Sequence, residues 1–111
     1  MAKNVDLLEQ SLLAFKNDNK AKQLQRFFKT GKGDYGEGDK FLGITMPKIR
    51  LIVNKYYKDI PINDLKNLLG SIWHEIRMAA LLVMAKQYNK ANEKTQKELY
   101  MLYVEQIGKA I

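Results

Sequence analysis

Apolar residues recur at spacings of three and four along almost the whole chain, and no stretch alternates apolar with polar side chains as a half-buried strand would. That periodicity limits the fold to helices packed on helices. Val5, Leu8, Leu12 and Phe15 make one stripe, and Ala21, Leu24, Phe27 and Phe28 a second on a short basic helix. Ile49, Ile52, Val53 and Tyr56 make a third behind Pro47, a residue suited to the first turn of a helix. Pro61 and Asn63 punctuate the next start, with Asn63 read as an N-cap before Leu65, Leu68 and Leu69. A longer helix begins at or near Ser71 and runs through Tyr88. Its middle, residues 78–84, is apolar nearly all round, which predicts a helix sandwiched between others. Asn92 opens the last helix, with Leu99, Leu102, Tyr103 and Gln106 along one line and Tyr100, Val104 and Ile107 along another.

Six helices joined mostly by short turns give an all-α protein, either a closed bundle or a stack of antiparallel helical hairpins. Natural pairs are 5–15 with 20–29, 47–57 with 61–70 and 74–88 with 93–107. The apolar pattern is still unfinished at Val104, Ile107 and Ile111, which favours a stack read as the N-terminal portion of a longer solenoid, with 1–111 a single helical-repeat domain. Against it, the pairs start at uneven intervals and no residue-level repeat is visible.

Charge is segregated. Between Lys16 and Lys58 stand eleven Lys or Arg and four Asp or Glu, so this segment carries the whole net charge of +7. Its centre is a glycine-rich loop, residues 30–46, between two basic helices. A polyanion is the expected partner, and nucleic acid is the commonest one for such a patch. Without cysteine there are no disulfides, thiolate zinc sites or cysteine nucleophiles. The longest apolar stretch, 78–85, is far short of the roughly 20 residues needed to cross a bilayer, and the first residues lack a signal peptide's apolar core. No membrane, metal or cofactor is expected, and the expected location is the cytoplasm.

The familiar catalytic motifs fail one by one. Gly31, Gly33 and Gly36 match a dinucleotide-binding pattern, but a basic helix precedes them where a strand is required, and Glu37 stands where a phosphate-binding loop needs lysine. His74-Glu75 lacks the second histidine of a zinc protease helix, because position 78 is Met. Both residues read as first-turn residues, with Glu75 favoured by the helix dipole. Ser11 and Ser71 have no nucleophile-elbow context. Asp34, Glu37 and Asp39 read as turn formers rather than an acid–base set. What remains is cationic: Lys29 and Lys32 at the loop entrance, then Thr45, Lys48 and Arg50 at the start of the following helix, where backbone amides and a hydroxyl make a seat for phosphate.

The string Phe27-Phe28-Lys29-Thr30-Gly31-Lys32-Gly33, then Tyr35-Gly36-Glu37-Gly38-Asp39-Lys40-Phe41-Leu42-Gly43-Ile44, with Pro47 and Arg50, closely resembles the N-terminal part of the AlkD-like DNA alkylation repair family. His74-Glu75-Ile76-Arg77-Met78-Ala79-Ala80-Leu81 is similar to its next signature. The resemblance implies a right-handed stack of HEAT-like helical hairpins holding double-stranded DNA in a concave, positive face. It also implies glycosylase chemistry on purines alkylated at N3 or N7. Such a base is already cationic and leaves readily, so the main task is electrostatic stabilisation of an electron-poor sugar by an aspartate. In the family that aspartate belongs to a Trp-Asp motif after the third hairpin. Here the one tryptophan, Trp73, is followed by His74, so no catalytic residue carries over. The expected DNA contacts are Lys29, Lys32, Thr45, Lys48 and Arg50, with Arg77 a further candidate. A HEAT-like protein-interaction scaffold is the alternative, and the open apolar end could support self-association.

Overall fold

The computed structural model describes residues 3–27 and 40–110, and over that range the protein is all-helical. Six helices follow in order: α1 (Asn4–Ala14), α2 (Asp18–Phe27), α3 (Met46–Tyr56), α4 (Ile62–Leu69), α5 (His74–Lys90) and α6 (Glu93–Ala110). This is the six-helix architecture that the periodicity predicts. No helix among the described residues is long and apolar enough to cross a membrane.

Side-chain chemistry sets most helix boundaries. Asn17 accepts the Lys20 amide at 3.0 Å, and Asn92 accepts the Thr95 amide at 2.9 Å, each satisfying a donor that the first turn leaves without a partner. Thr45 holds the extended conformation of an N-cap ahead of Pro47. At α4 the expected cap is two residues too late. Pro61 occupies the N-cap position in extended geometry, its carbonyl accepting the amides of Asp64 and Leu65 at 3.1 Å, so Asn63 lies inside the first turn and exposed. Proline's fixed φ positions that carbonyl without help from a side chain.

α3 packs on α1 and on α5, and α1 also reaches α5, while α4 rests on α5 and α6 and α6 returns to α5. Neighbours in sequence are therefore not always main partners in space, since α3 leans on α1 and α5 rather than on α4. α5 touches four helices and buries Glu75, Ile76, Ala79, Ala80, Val83 and Met84. An apolar pattern that wraps the helix demands this position. One core runs from Leu8 and Leu12 on α1 through Ile49 and Val53 to Leu65, Ile76, Val83 and Leu99.

The connection from α3 to α4 is pinned from both sides. Asn4 Nδ2 donates to Lys58 O at 2.6 Å, and Gln87 Nε2 donates to the carbonyls of both Tyr57 and Ile60, at 2.9 and 3.0 Å. Between them Asp59 takes a left-handed conformation, φ 61°, which short polar side chains tolerate.

Candidate nucleic-acid interface

The segment leading into α3 is tied down by α5. Lys40 and Trp73 form an isolated parallel bridge, and the His74 amide donates to Lys40 O at 2.8 Å. The Phe41 ring, buried, lies 4.8 Å from the imidazole of His74. Beyond it three successive amides converge on one carboxylate. Glu75 Oε1 accepts from Leu42 at 2.8 Å, and Oε2 from Gly43 at 2.9 Å and Ile44 at 3.3 Å. Such a run of amides is an anion-binding concavity, and here the anion is the protein's own. Glu75 is only 2 % exposed, a burial that a carboxylate tolerates when its oxygens are hydrogen-bonded.

Gly43 makes that turn possible. Its φ is +87°, and a Cβ there would lie 2.1 Å from Asn17 O and 2.8 Å from the Ala21 amide nitrogen. The turn therefore presses directly on the start of α2, where Asn17 N also donates to Leu42 O at 2.8 Å. One loop, 42–44, is locked to α5 on one side and to α2 on the other.

The cations spread over this frame. Thr45 is exposed at the start of α3, and its hydroxyl makes no capping bond. Pro47, in the first turn, has no amide to donate, so the expected phosphate seat offers fewer backbone donors than an ordinary helix start. Lys48 leans towards α1, its ammonium 4.4 Å from the centre of the Phe15 ring. Arg50 leans the other way, exposed, into the groove between α3 and α5 with Asn54, Lys86 and Asn89. The two cations thus flank α3 rather than share one side of it. Arg77, half-buried, donates from Nη1 to Ser71 O at 2.9 Å, bracing the turn before α5. Lys16 stands 5.5 Å from the Trp73 ring centre and 3.7 Å from a carboxylate oxygen of Asp18. Lys29, Lys32, the glycine motif 31–36 and the carboxylates Asp34, Glu37 and Asp39 lie outside the described residues.

At the far end of α3 a second positive group forms. Lys90 donates to the Tyr57 hydroxyl, and the ammonium groups of Lys86 and Lys90 lie 5.6 and 5.2 Å from that ring's centre. The hydrogen bond from Lys90, with the charges of Lys90, Lys58 and Lys86, holds the phenol below its usual pKa of 10.0. On α5 and α6, Leu81, Met84, Ala85, Tyr88, Leu99, Tyr100 and Tyr103 line an apolar groove of about 250 Å³.

Two features escape a reading of the sequence as first-turn residues and solvated lysines. Glu75 is a structural anchor, and its signal was its place on a helix predicted to be enclosed, where a first-turn side chain has no solvent to face. Lys86 and Asn89 continue the spacing of Leu82 and Ala85, so they had to share that groove-facing line.

Comparison with known proteins adds two findings. The family model described as DNA alkylation repair enzyme matches residues 8–110. A comparison with curated protein sequences gave no match.

Proposed function

Because the chain belongs to the DNA alkylation repair enzyme family, we propose that it is the helical-repeat portion of a glycosylase releasing N3- or N7-alkylated purines, and that its part is to grip the backbone of duplex DNA. The observation that carries this reading is the cationic surround of α3. Lys48 and Arg50 flank that helix, Thr45 opens it, and Lys16, 3.7 Å from Asp18, stands nearby. Lys29 and Lys32 join them in the proposal. Arg77 is the least of these contacts, since its guanidinium already serves Ser71.

The reaction breaks the bond between a cationic purine and its sugar, with water taking the place of the base. The departing base neutralises its own charge, so the demand falls on the electron-poor sugar, which a carboxylate beside it would stabilise. No Trp-Asp pair occurs in the 111 residues, so the share assigned to this chain is binding and positioning.

Titrating a short duplex at several salt concentrations tests the reading. Contact with three to five phosphates gives a slope of log affinity against log salt of about −3 to −4.5. An affinity indifferent to salt refutes it. No 7-methylguanine should be released from alkylated DNA by this chain alone, and robust release would place the chemistry in the residues present. The apolar groove between α5 and α6 favours a second reading, a HEAT-like scaffold that binds a protein or a second copy of itself. Charge reversal at Lys48 and Arg50 separates the two, because it abolishes DNA binding in the first reading and leaves it unchanged in the second.

A further inference from the structure

We infer that the groove between α3 and α5 is a binding site for a phosphate group, held by Arg50, Asn54, Lys86 and Asn89. Two stripes face each other across it. α3 presents Arg50, Val53 and Asn54, and α5 presents Leu82, Ala85, Lys86 and Asn89, around a cavity of about 230 Å³. Buried Val53 and half-buried Leu82 lie at its base. The polar residues are a guanidinium, an ammonium and two carboxamides, and every one of them can donate N–H bonds. No carboxylate lines the groove, and neither Arg50 nor Lys86 has an ion-pair partner among the described residues.

Two positive charges held on opposite walls with no acid between them repel each other, and an anion placed between them removes that cost. Donors arriving from both walls suit a tetrahedral oxyanion, whose oxygens point to both sides, better than a planar carboxylate. Arginine adds the paired N–H geometry that matches phosphate. Lys86 is partly oriented in advance by the Tyr57 ring, 5.6 Å from its ammonium. Lys90, whose ammonium lies 5.2 Å from the centre of the same ring, adds a further positive charge at that end of the helices. The anion has two sources, a phosphodiester of nucleic acid or free phosphate. Only for the first does the inference rest on the duplex-binding reading above.

The test compares the wild-type chain with Lys86→Met, Lys86→Arg and Lys97→Met. The Met variant keeps the aliphatic stem beside Tyr57, the Arg variant keeps the charge, and Lys97 lies on α6 beside a different groove. If the site takes a backbone phosphodiester, K86M lowers duplex affinity about eightfold at 0.1 M salt and reduces the salt slope by about 0.9. K86R restores both, and K97M changes neither. Wild-type binding that K86M leaves unaltered overturns the site. If the wild-type chain binds no duplex at all, the duplex reading fails by itself, and inorganic phosphate then decides. Shifts of the Asn54 and Asn89 side-chain amide resonances on adding phosphate, lost in K86M, support the site, and their absence overturns it. Thermal melts of each variant confirm folding, and should K86M fail to fold, Arg50→Gln on the opposite wall carries the comparison, with unaltered phosphate and duplex binding in that variant overturning the site.

Discussion

Replacing Glu75 with alanine removes the acceptor of three amide bonds at a site closed to solvent. Hydrogen bonds to a charged group contribute about 1.5–3 kcal/mol each, and a buried donor left without a partner costs about 1–3 kcal/mol. Three such bonds, simply added, would suggest a loss of about 4.5–9 kcal/mol. However, the vacated space admits water, and the third bond, at 3.3 Å, is the weakest. About 3–5 kcal/mol is the expected net loss, a large fraction of the roughly 5–15 kcal/mol that stabilises a domain. For a chain of this length, about 4 °C per kcal/mol puts the fall in Tm near 12–20 °C. Glu75→Gln keeps the shape and one carbonyl oxygen but turns an NH2 towards at least one amide donor, so it loses about half as much. The loss is read by thermal melting, followed by circular dichroism. Amide hydrogen exchange gives the local readout: Leu42, Gly43 and Ile44 should lose protection first, ahead of amides in α5. A melting point within about 3 °C of wild type for Glu75→Ala, or unchanged exchange at those three amides, would refute the anchoring argument.

Gly43→Ala should be equally severe for a different reason, since the new methyl meets the Asn17 carbonyl oxygen at 2.1 Å on a backbone with φ +87°. A loss of about 3 kcal/mol or more is expected in urea denaturation, and a variant as stable as wild type would show that the 42–44 turn does not press on α2. Tyr57 should ionise below pH 10, because Lys90 donates a hydrogen bond to its hydroxyl. Its folded pKa lies below the unfolded one, so its contribution to stability is complete above about pH 10 and is lost as pH falls through the folded value. Following phenolate absorbance, Tyr57→Phe reduces the early-ionising component, to which Tyr56 also contributes through Ser11 and Lys55, and Lys90→Met moves the Tyr57 share upwards; a Lys90→Met titration identical to wild type contradicts the contact.

The helices were legible because their apolar stripes are local. Ile49, Ile52 and Val53 announce α3, and the all-round pattern of 78–84 announces a helix with neighbours on every side, as α5 has. The start of α4 was misjudged by a residue or two because a proline carbonyl can serve as well as an asparagine side chain. The lock between α5 and the segment before α3 was not legible. Glu75 bonds to amides more than thirty positions away, and amides carry no side-chain signature. Pro47 was enough to place Thr45, Lys48 and Arg50 around the start of α3. Which flank of α3 each would take depended on α1 and α5, whose positions are a tertiary fact. The spacing of Lys86 and Asn89 put them on one line with Leu82 and Ala85, but that this line would face Arg50 and Asn54 on α3 was again a tertiary fact.

The two helices that carry Arg50 and Lys86 are fastened together at both ends, by the Glu75 carboxylate near the beginning of α3 and by the Gln87 carboxamide just past its close. The gap between those cations is consequently gauged by two side chains that never meet the anion. Conservative changes at either fastener can widen or narrow the jaws while leaving every charge in place, so affinity for a polyanion can be adjusted from within the protein interior.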